Sequence, residues 1–296
     1  MNAHSSSTYR LIPGIGLGDS LLFLPAAFAL ARSGHKVIMH SHWLNSFKDK
    51  LPFSLEFPIN YQSSPEDLKS FSHEKIIIQN HSPASSLLKG RDFQIVGRSK
   101  FEGRTQAAEI FESFLLDCDL STTLCDLRAL LLEKTPLIES RTLALHPLSH
   151  DCLKNWPLEK FLSLASYFAG QGWRLYVFGS KRDASQLKAF EEMATIYIDL
   201  PIKDLLLELS KKEIFVGNDS GLGHLASLAN CPTFSLFKSR SHAKLWRPSW
   251  SYNSVITPCL PLPGVFRDRL WKSTLFPKQI IHSIDTYLKH PFQRVV

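Results

Sequence analysis

Long apolar runs are missing from this 296-residue chain, and so are the paired cysteines that staple small extracellular scaffolds. The longest apolar stretch, Leu21 to Ala31, is interrupted by Pro25 and falls far short of the roughly 20 residues a bilayer crossing requires. No small-residue cleavage site follows it, so the segment does not read as a secretory signal. Five cysteines (Cys118, Cys125, Cys152, Cys231, Cys259) are an odd, widely spaced set without a CxxC pair. That usage suits a reducing cytoplasm and gives zinc no ligand set. Hydrophobic residues at 44% and charged residues at 21% exclude a disordered chain, a collagen-like chain and a coiled coil.

Acidic residues are nearly absent from the last fifth of the chain. Residues 1–237 carry 24 basic and 25 acidic side chains, whereas residues 238–296 carry ten basic ones against only Asp268 and Asp285. The whole net charge of +7 therefore comes from the C-terminal segment. Such a concentration implies an anionic partner, either phosphates, an acidic glycan or a membrane surface, unless it is a solvated basic face. No aromatic-rich basic platform or nucleic-acid module accompanies it, so a nucleic-acid partner is not expected.

At about 150 residues per domain the length predicts two domains. The first half alternates strand and helix: a strand Tyr9 to Ile12, a glycine-rich turn, a helix from about Ser20 to Arg32, strands Lys36 to Met39 and Lys75 to Ile78, and a helix from about Thr105 to Leu116. A polar, proline-containing link near Glu133 to Pro136 separates it from a second series. There the pattern predicts strands Thr142 to His146, Arg174 to Phe178, Glu213 to Val216 and Thr233 to Phe237. The helices expected between and after them are Leu158 to Ala169, Asp183 to Met193, Ile202 to Leu209, Leu222 to Leu228 and Lys278 to Leu288. Alternating units of this kind build parallel sheets whose ligands bind off the carboxyl ends of the strands. The boundaries expected are 1–137, 138–276 and a final helical segment 277–296 that returns to the first domain, with the site in the cleft between the domains.

Three strand-turn-helix segments carry candidate chemistry. The first, Gly14-Ile15-Gly16-Leu17-Gly18-Asp19-Ser20, lets backbone approach a ligand and presents helix amides. Its glycine spacing is wrong for a dinucleotide fingerprint, and the next strand ends in His40, Ser41 and His42 rather than an acidic residue, so no nicotinamide cofactor is expected. Asp19 reads either as a helix cap or as a base. The second runs from His146 through Ser149 to Lys154-Asn155-Trp156-Pro157, and places a hydroxyl and an ammonium beside a helix start, as a phosphate site or as a plain surface loop. The third, Gly217-Asn218-Asp219-Ser220-Gly221-Leu222-Gly223-His224, offers amides to a phosphate, with helix capping and a satisfied histidine as the bland alternative. Asp117-Cys118-Asp119 matches a metal-binding DxD only superficially and reads as the solvated end of an amphipathic helix, so no metal is assigned.

Taken in order, these segments resemble glycosyltransferase family 9, the heptosyltransferases of the lipopolysaccharide inner core. The resemblance is carried by Gly18-Asp19 before a leucine-rich helix with Pro25, Lys154-x-Trp156-Pro157, Val177-Phe178-Gly179-Ser180, Asp219-Ser220-Gly221 with His224-Leu225-Ala226, and Leu236-Phe237. It implies an α/β chain of GT-B architecture, with two Rossmann-like domains facing each other across a cleft. It further implies inverting, metal-independent transfer of heptose from ADP-heptose to an anionic glycolipid acceptor, without a cofactor, at the cytoplasmic face of the membrane. In that scheme Asp19 is the catalytic base. Ser149, Lys154, Asp219, Ser220, Gly221, His224 and Lys238 bind the donor, and Gly16, Gly18, Arg98 and Arg104 meet the acceptor. Two segments depart from the family pattern: Lys238-Ser239-Arg240 stands where Gly-Pro-Thr is usual, and Gln79-Asn80-His81 where an aspartate and Gln-Gly are usual. A transferase of the same fold using another nucleotide-sugar or acceptor, or a degenerate member acting as a glycan-binding scaffold, stays open.

Overall fold

Residues 7–57, 74–79, 82, 94–96, 110, 119–134, 136–258 and 270–290 are described by a computed structural model. The chain divides into two compact units, Met1–Glu133 and Lys134–Val296.

In the first unit, strands β1 (Thr8–Ile12), β2 (Lys36–His40), β3 (Ser54–Glu56), β4 (Lys75–Gln79) and β5 (Gln94–Val96) form a parallel sheet in the order β3-β2-β1-β4-β5. The sequence pattern left out β3 and β5, which are only three residues long. Helix α1 (Leu17–Arg32) buries every residue from Ser20 to Leu30, so its apolar character runs around the whole cylinder rather than along a stripe. Pro25 inside α1 removes one backbone donor, a loss tolerated where packing on all sides holds the helix. Polar groups are also buried here. Arg10 of β1 is 5% exposed and is engaged by Glu56, Glu74 and His40 Nε2 (2.8 Å). Because a guanidinium only donates, His40 Nε2 must be unprotonated, and Nδ1–H donates to the Phe57 carbonyl at 2.7 Å.

Helix α2 (Leu120–Leu132) begins at the last residue of the DxD match. Asp119 is its N-cap: it accepts the Thr122 amide at 2.9 Å, and the hydrogen bonds from Thr122 hold its carboxyl below the usual range. The helix expected from Thr105 to Leu116 lies outside the described residues, apart from a helical Ile110.

The second unit is a six-stranded parallel sheet in the order β11-β10-β9-β6-β7-β8, with β6 (Glu139–His146), β7 (Arg174–Gly179), β8 (Ala194–Ile198), β9 (Lys212–Asn218), β10 (Thr233–Leu236) and β11 (Asn253–Ile256). Its helices are α3 (Leu158–Gly170), α4 (Ile202–Ser210), α5 (Gly221–Leu228), α6 (Arg240–Trp246) and α7 (Pro277–Lys289). The expected helix from Asp183 to Met193 is broken into short 3₁₀ and α turns across residues 181–190. Its buried residues Leu187 and Phe190 are three apart, a spacing that suits three residues per turn.

A large apolar cluster packs against one face of this sheet. Leu143, Leu145, Val177, Ile214, Val216 and Phe234 of the strands meet Trp156, Phe161, Leu164 and Phe168. At roughly 1.5–3 kcal/mol for each fully buried large apolar side chain, this cluster contributes strongly to the unit's cohesion. Helix α7 adds Ile280, Ile284 and Tyr287, which follow one helical stripe. The helix expected to return to the first domain thus buries its apolar face against α3, β10 and β11 of the second unit.

Candidate active site

In the first sheet the strand order reverses direction between β1 and β4, and such switch points open a crevice at the carboxyl ends of the strands. The turn Pro13 to Gly16 leaves β1 at that point. Gly16 is the N-cap of α1, and Asp19, third in the helix, reaches back to accept the Gly16 amide through Oδ2 at 3.1 Å. Its other oxygen, Oδ1, accepts Gln79 Nε2 at 2.8 Å, and Gln79 Oε1 in turn accepts the Gly14 amide at 2.7 Å. A methyl group added at Gly14 would stand 2.6 Å from Asp19 Oδ2, so glycine is required for the loop to lie this close to the carboxylate. Asp19 is therefore a structural member of the turn, and it lies in the first turn of the helix that follows β1 at the switch point. Gly18 is the second residue of the helix. Arg98 and Arg104 lie outside the described residues.

In the second sheet the corresponding reversal falls between β6 and β9. Asn218, the last residue of β9, ties the surrounding loops together: its Oδ1 accepts the Trp156 amide at 3.0 Å and its Nδ2 donates to the Pro147 carbonyl at 2.7 Å. This clamp brings Lys154 to the end of β9. Lys154 Nζ lies 2.7 Å from Asp219 Oδ2, and His242 Nε2 from α6 lies 3.0 Å from the same oxygen. Burial pulls the Asp219 carboxyl upward, but the His242 hydrogen bond and the Lys154 charge outweigh it and hold the group below the usual carboxylate range.

The N-terminus of α5 opens beside this cluster. Ser220 is its N-cap, yet the Ser220 hydroxyl makes no capping bond; it pairs with His146 Nδ1 at 3.1 Å. Side-chain capping therefore does not occupy the first-turn amides at Gly221 and Leu222, the arrangement that favours an anion. His224 is 5% exposed and hydrogen-bonded to the Trp246 backbone, and burial drives it down to about 4. It is a neutral histidine at physiological pH. Ser149 is buried, with its hydroxyl within 2.9 Å of the Asp151 carbonyl and 2.7 Å of Asn155 Oδ1, so it shapes its own loop. Lys238 lies half-buried just after β10, at the carboxyl edge.

A model of glycosyltransferase family 9 (heptosyltransferase) matches residues 110–261. The chain belongs to this family. Its glycosyltransferase fold is shared with solved structures that cover nearly all of it. The family 9 glycosyl transferase of Veillonella parvula DSM 2008 is 14% identical, with a TM-score of 0.68 over 95% of this chain and 97% of the other. ADP-heptose lps heptosyltransferase II of E. coli is 13% identical, with a TM-score of 0.68 over 96% and 99%. E. coli heptosyltransferase WaaC with ADP is 14% identical, with a TM-score of 0.65 over 95% and 99%. No curated protein matches the sequence. The mixed α/β chain with two parallel sheets is thus the GT-B glycosyltransferase fold.

Two members of the site had no role assigned from sequence. Gln79 stood out only as a departure at the end of a strand. His242 sits in a seven-residue helix without a clear apolar period, and only the Ser239 N-cap, accepting the His242 amide at 3.3 Å, marks where it begins.

Proposed function

We propose that this family 9 glycosyltransferase moves a heptose from ADP-heptose onto an anionic, lipopolysaccharide inner-core type acceptor, with inversion and without a metal. The observation that carries this reading is the second-sheet switch point, where Lys154, paired with Asp219, and the α5 amides bring together hydrogen-bond donors of the kind a nucleotide diphosphate needs. The E. coli neighbours bound to ADP and to ADP-2-deoxy-2-fluoro heptose support the choice of nucleotide.

In the reaction, the acceptor oxygen attacks the anomeric carbon as the bond to the diphosphate oxygen breaks. The hydroxyl proton passes to Asp19, and ADP departs as an anion. Lys154, the Ser220 turn with its first-turn amides at Gly221 and Leu222, and Lys238 balance the charge that gathers on the leaving group, which replaces the role of a metal. Ser149 sets the shape of the loop that delivers Lys154. His224, neutral and buried, supports the Asp219 turn rather than donating a proton. Gly16 and Gly18 leave room for the acceptor at the first crevice, with Arg98 and Arg104 assigned to its anionic groups. Among the described residues no helix is long and apolar enough to cross a membrane. The basic C-terminal segment, by its charge, serves as a peripheral contact with anionic lipid at the cytoplasmic face.

A second reading, a same-fold transferase with another donor or a glycan-binding scaffold, is favoured by Lys238-Ser239-Arg240, where the family pattern has Gly-Pro-Thr. Thermal shift against a panel of nucleotide-sugars separates the two. A rise confined to ADP-sugars supports ADP-heptose, since a ligand at 100 times its Kd adds about 2.7 kcal/mol. A rise with another nucleotide's sugars, or with none, overturns it.

A further inference from the structure

We infer that Gln79 is a positioning residue for the reaction, holding the Asp19 carboxylate at the angle and distance from which it receives the acceptor proton. The inference rests on the reading of Asp19 as the base. Gln79 ends β4 and is fully buried, a setting in which a primary amide is costly unless both its ends are bonded. Both are: Oε1 accepts the Gly14 amide at 2.7 Å and Nε2 donates to Asp19 Oδ1 at 2.8 Å. The orientation of the amide follows from chemistry alone. A backbone N–H only donates and an ionised carboxylate only accepts, so a flipped Gln79 would lose both bonds.

The consequence is that one side chain fixes three elements to one another: the end of β4, the glycine turn after β1, and the first turn of α1. With the Gly16 amide on Oδ2, the carboxylate is held by both oxygens, and the missing side chain at Gly14 lets the turn close over it. A neutral amide also suits a base better than a cation would, because it orders the carboxylate without the strong loss of basicity a lysine or arginine would impose. The charged groups on the neighbouring strands are Arg10 of β1, engaged by Glu56, Glu74 and His40, and Lys75 at the other end of β4, above the Tyr9 ring.

The test uses the full chain and the nucleotide-sugar that the wild type turns over. Gln79→Met keeps the volume and removes both bonds. Amide hydrogen exchange at Gly14 should quicken, kcat should fall on the order of 100-fold, as expected for a misplaced catalytic group, and donor Kd should stay within about twofold. Gln79→Glu keeps an acceptor for Gly14 but sets a second carboxyl against Asp19, and the acid limb of the kcat profile should move up by about one pH unit or more. Faster exchange at Gly14 with wild-type kcat in Gln79→Met would reduce Gln79 to loop packing and overturn the proposal. An unmoved acid limb in Gln79→Glu would do the same, and it decides the matter if the methionine variant fails to fold. Failure of the broader reading shows differently, as a wild-type protein that transfers sugar from no nucleotide donor.

Discussion

Lys154 Nζ and Asp219 Oδ2, 65 residues apart in sequence, form a 2.7 Å ion pair at the switch point of the second sheet. The ammonium proposed to meet the diphosphate is therefore already engaged, and donor binding must draw it from Asp219 or share it. Lys154→Ala should weaken ADP about 10- to 100-fold, the worth of a hydrogen bond to a charged group. Asp219→Asn should instead tighten ADP, because a competing negative charge is gone while His242 can still bond the amide oxygen. Calorimetric titration of both variants checks the pair; weaker ADP binding in Asp219→Asn would show that the carboxylate is needed to hold the turn.

Asp19→Asn should keep the fold and the ADP affinity yet lose roughly 100- to 10,000-fold in turnover, the usual worth of a positioned general base. The Gly16 amide and Gln79 Nε2 donate to different oxygens of Asp19, and an asparagine, with one oxygen, meets them only in part, so thermal unfolding should accompany the kinetics. Wild-type turnover in this variant removes Asp19 from the chemistry.

How much of this was legible in sequence depends on how local the signal is. The turns at Gly14 to Asp19 and at Asp219 to Gly221 were readable because a strand, a glycine and a helix start follow one another within a few residues. The partners that give those turns their geometry were not. Gln79 reaches Asp19 across 60 positions and His242 reaches Asp219 across 23, and no periodicity reports such pairs. Amphipathic pattern has the same limit. The stripe Ile280, Ile284, Tyr287 announces that α7 buries one face, but only the fold shows that the buried face belongs to the second unit. Strand β8 was missed because the preceding residues were read as one long helix, whereas Leu187 and Phe190 pack through short turns that end before Ala194.

Lys238 tests the departure from the family pattern. Two residues past the end of β10, it stands at the carboxyl edge where the diphosphate is proposed to lie. If it meets the diphosphate, the wild type should prefer ADP over AMP, the preference should shrink with added salt, and Lys238→Ala should narrow it. Should Lys238→Ala leave nucleotide binding intact and weaken attachment to acidic vesicles, where a basic residue contributes about 1 kcal/mol, the segment faces lipid instead.

The last prediction concerns acid stability. His146 and His224 are each driven down to about 4 by burial, and burial also lowers His40 beside Arg10. An unfolded histidine titrates near 6.5, so as pH falls below that value the unfolded chain takes up protons that the folded chain refuses. The sign is therefore fixed: these groups cost no stability above pH 6.5, and stability is lost between about 6.5 and 4. For each histidine the slope approaches about 1.4 kcal/mol per pH unit within that window. Asp219, held low, acts only as pH drops past the ordinary aspartate range. Urea unfolding of the wild type from pH 8 to 4.5 should show a plateau and then a decline. His146→Gln removes one titrating ring and its contact with Ser220, so it should be less stable on the plateau but decline more gently, by close to one proton. A decline of equal slope in His146→Gln would mean that His146 already takes its proton in the folded state, and its bond to Ser220 would then have to be redrawn with Nδ1 as the donor.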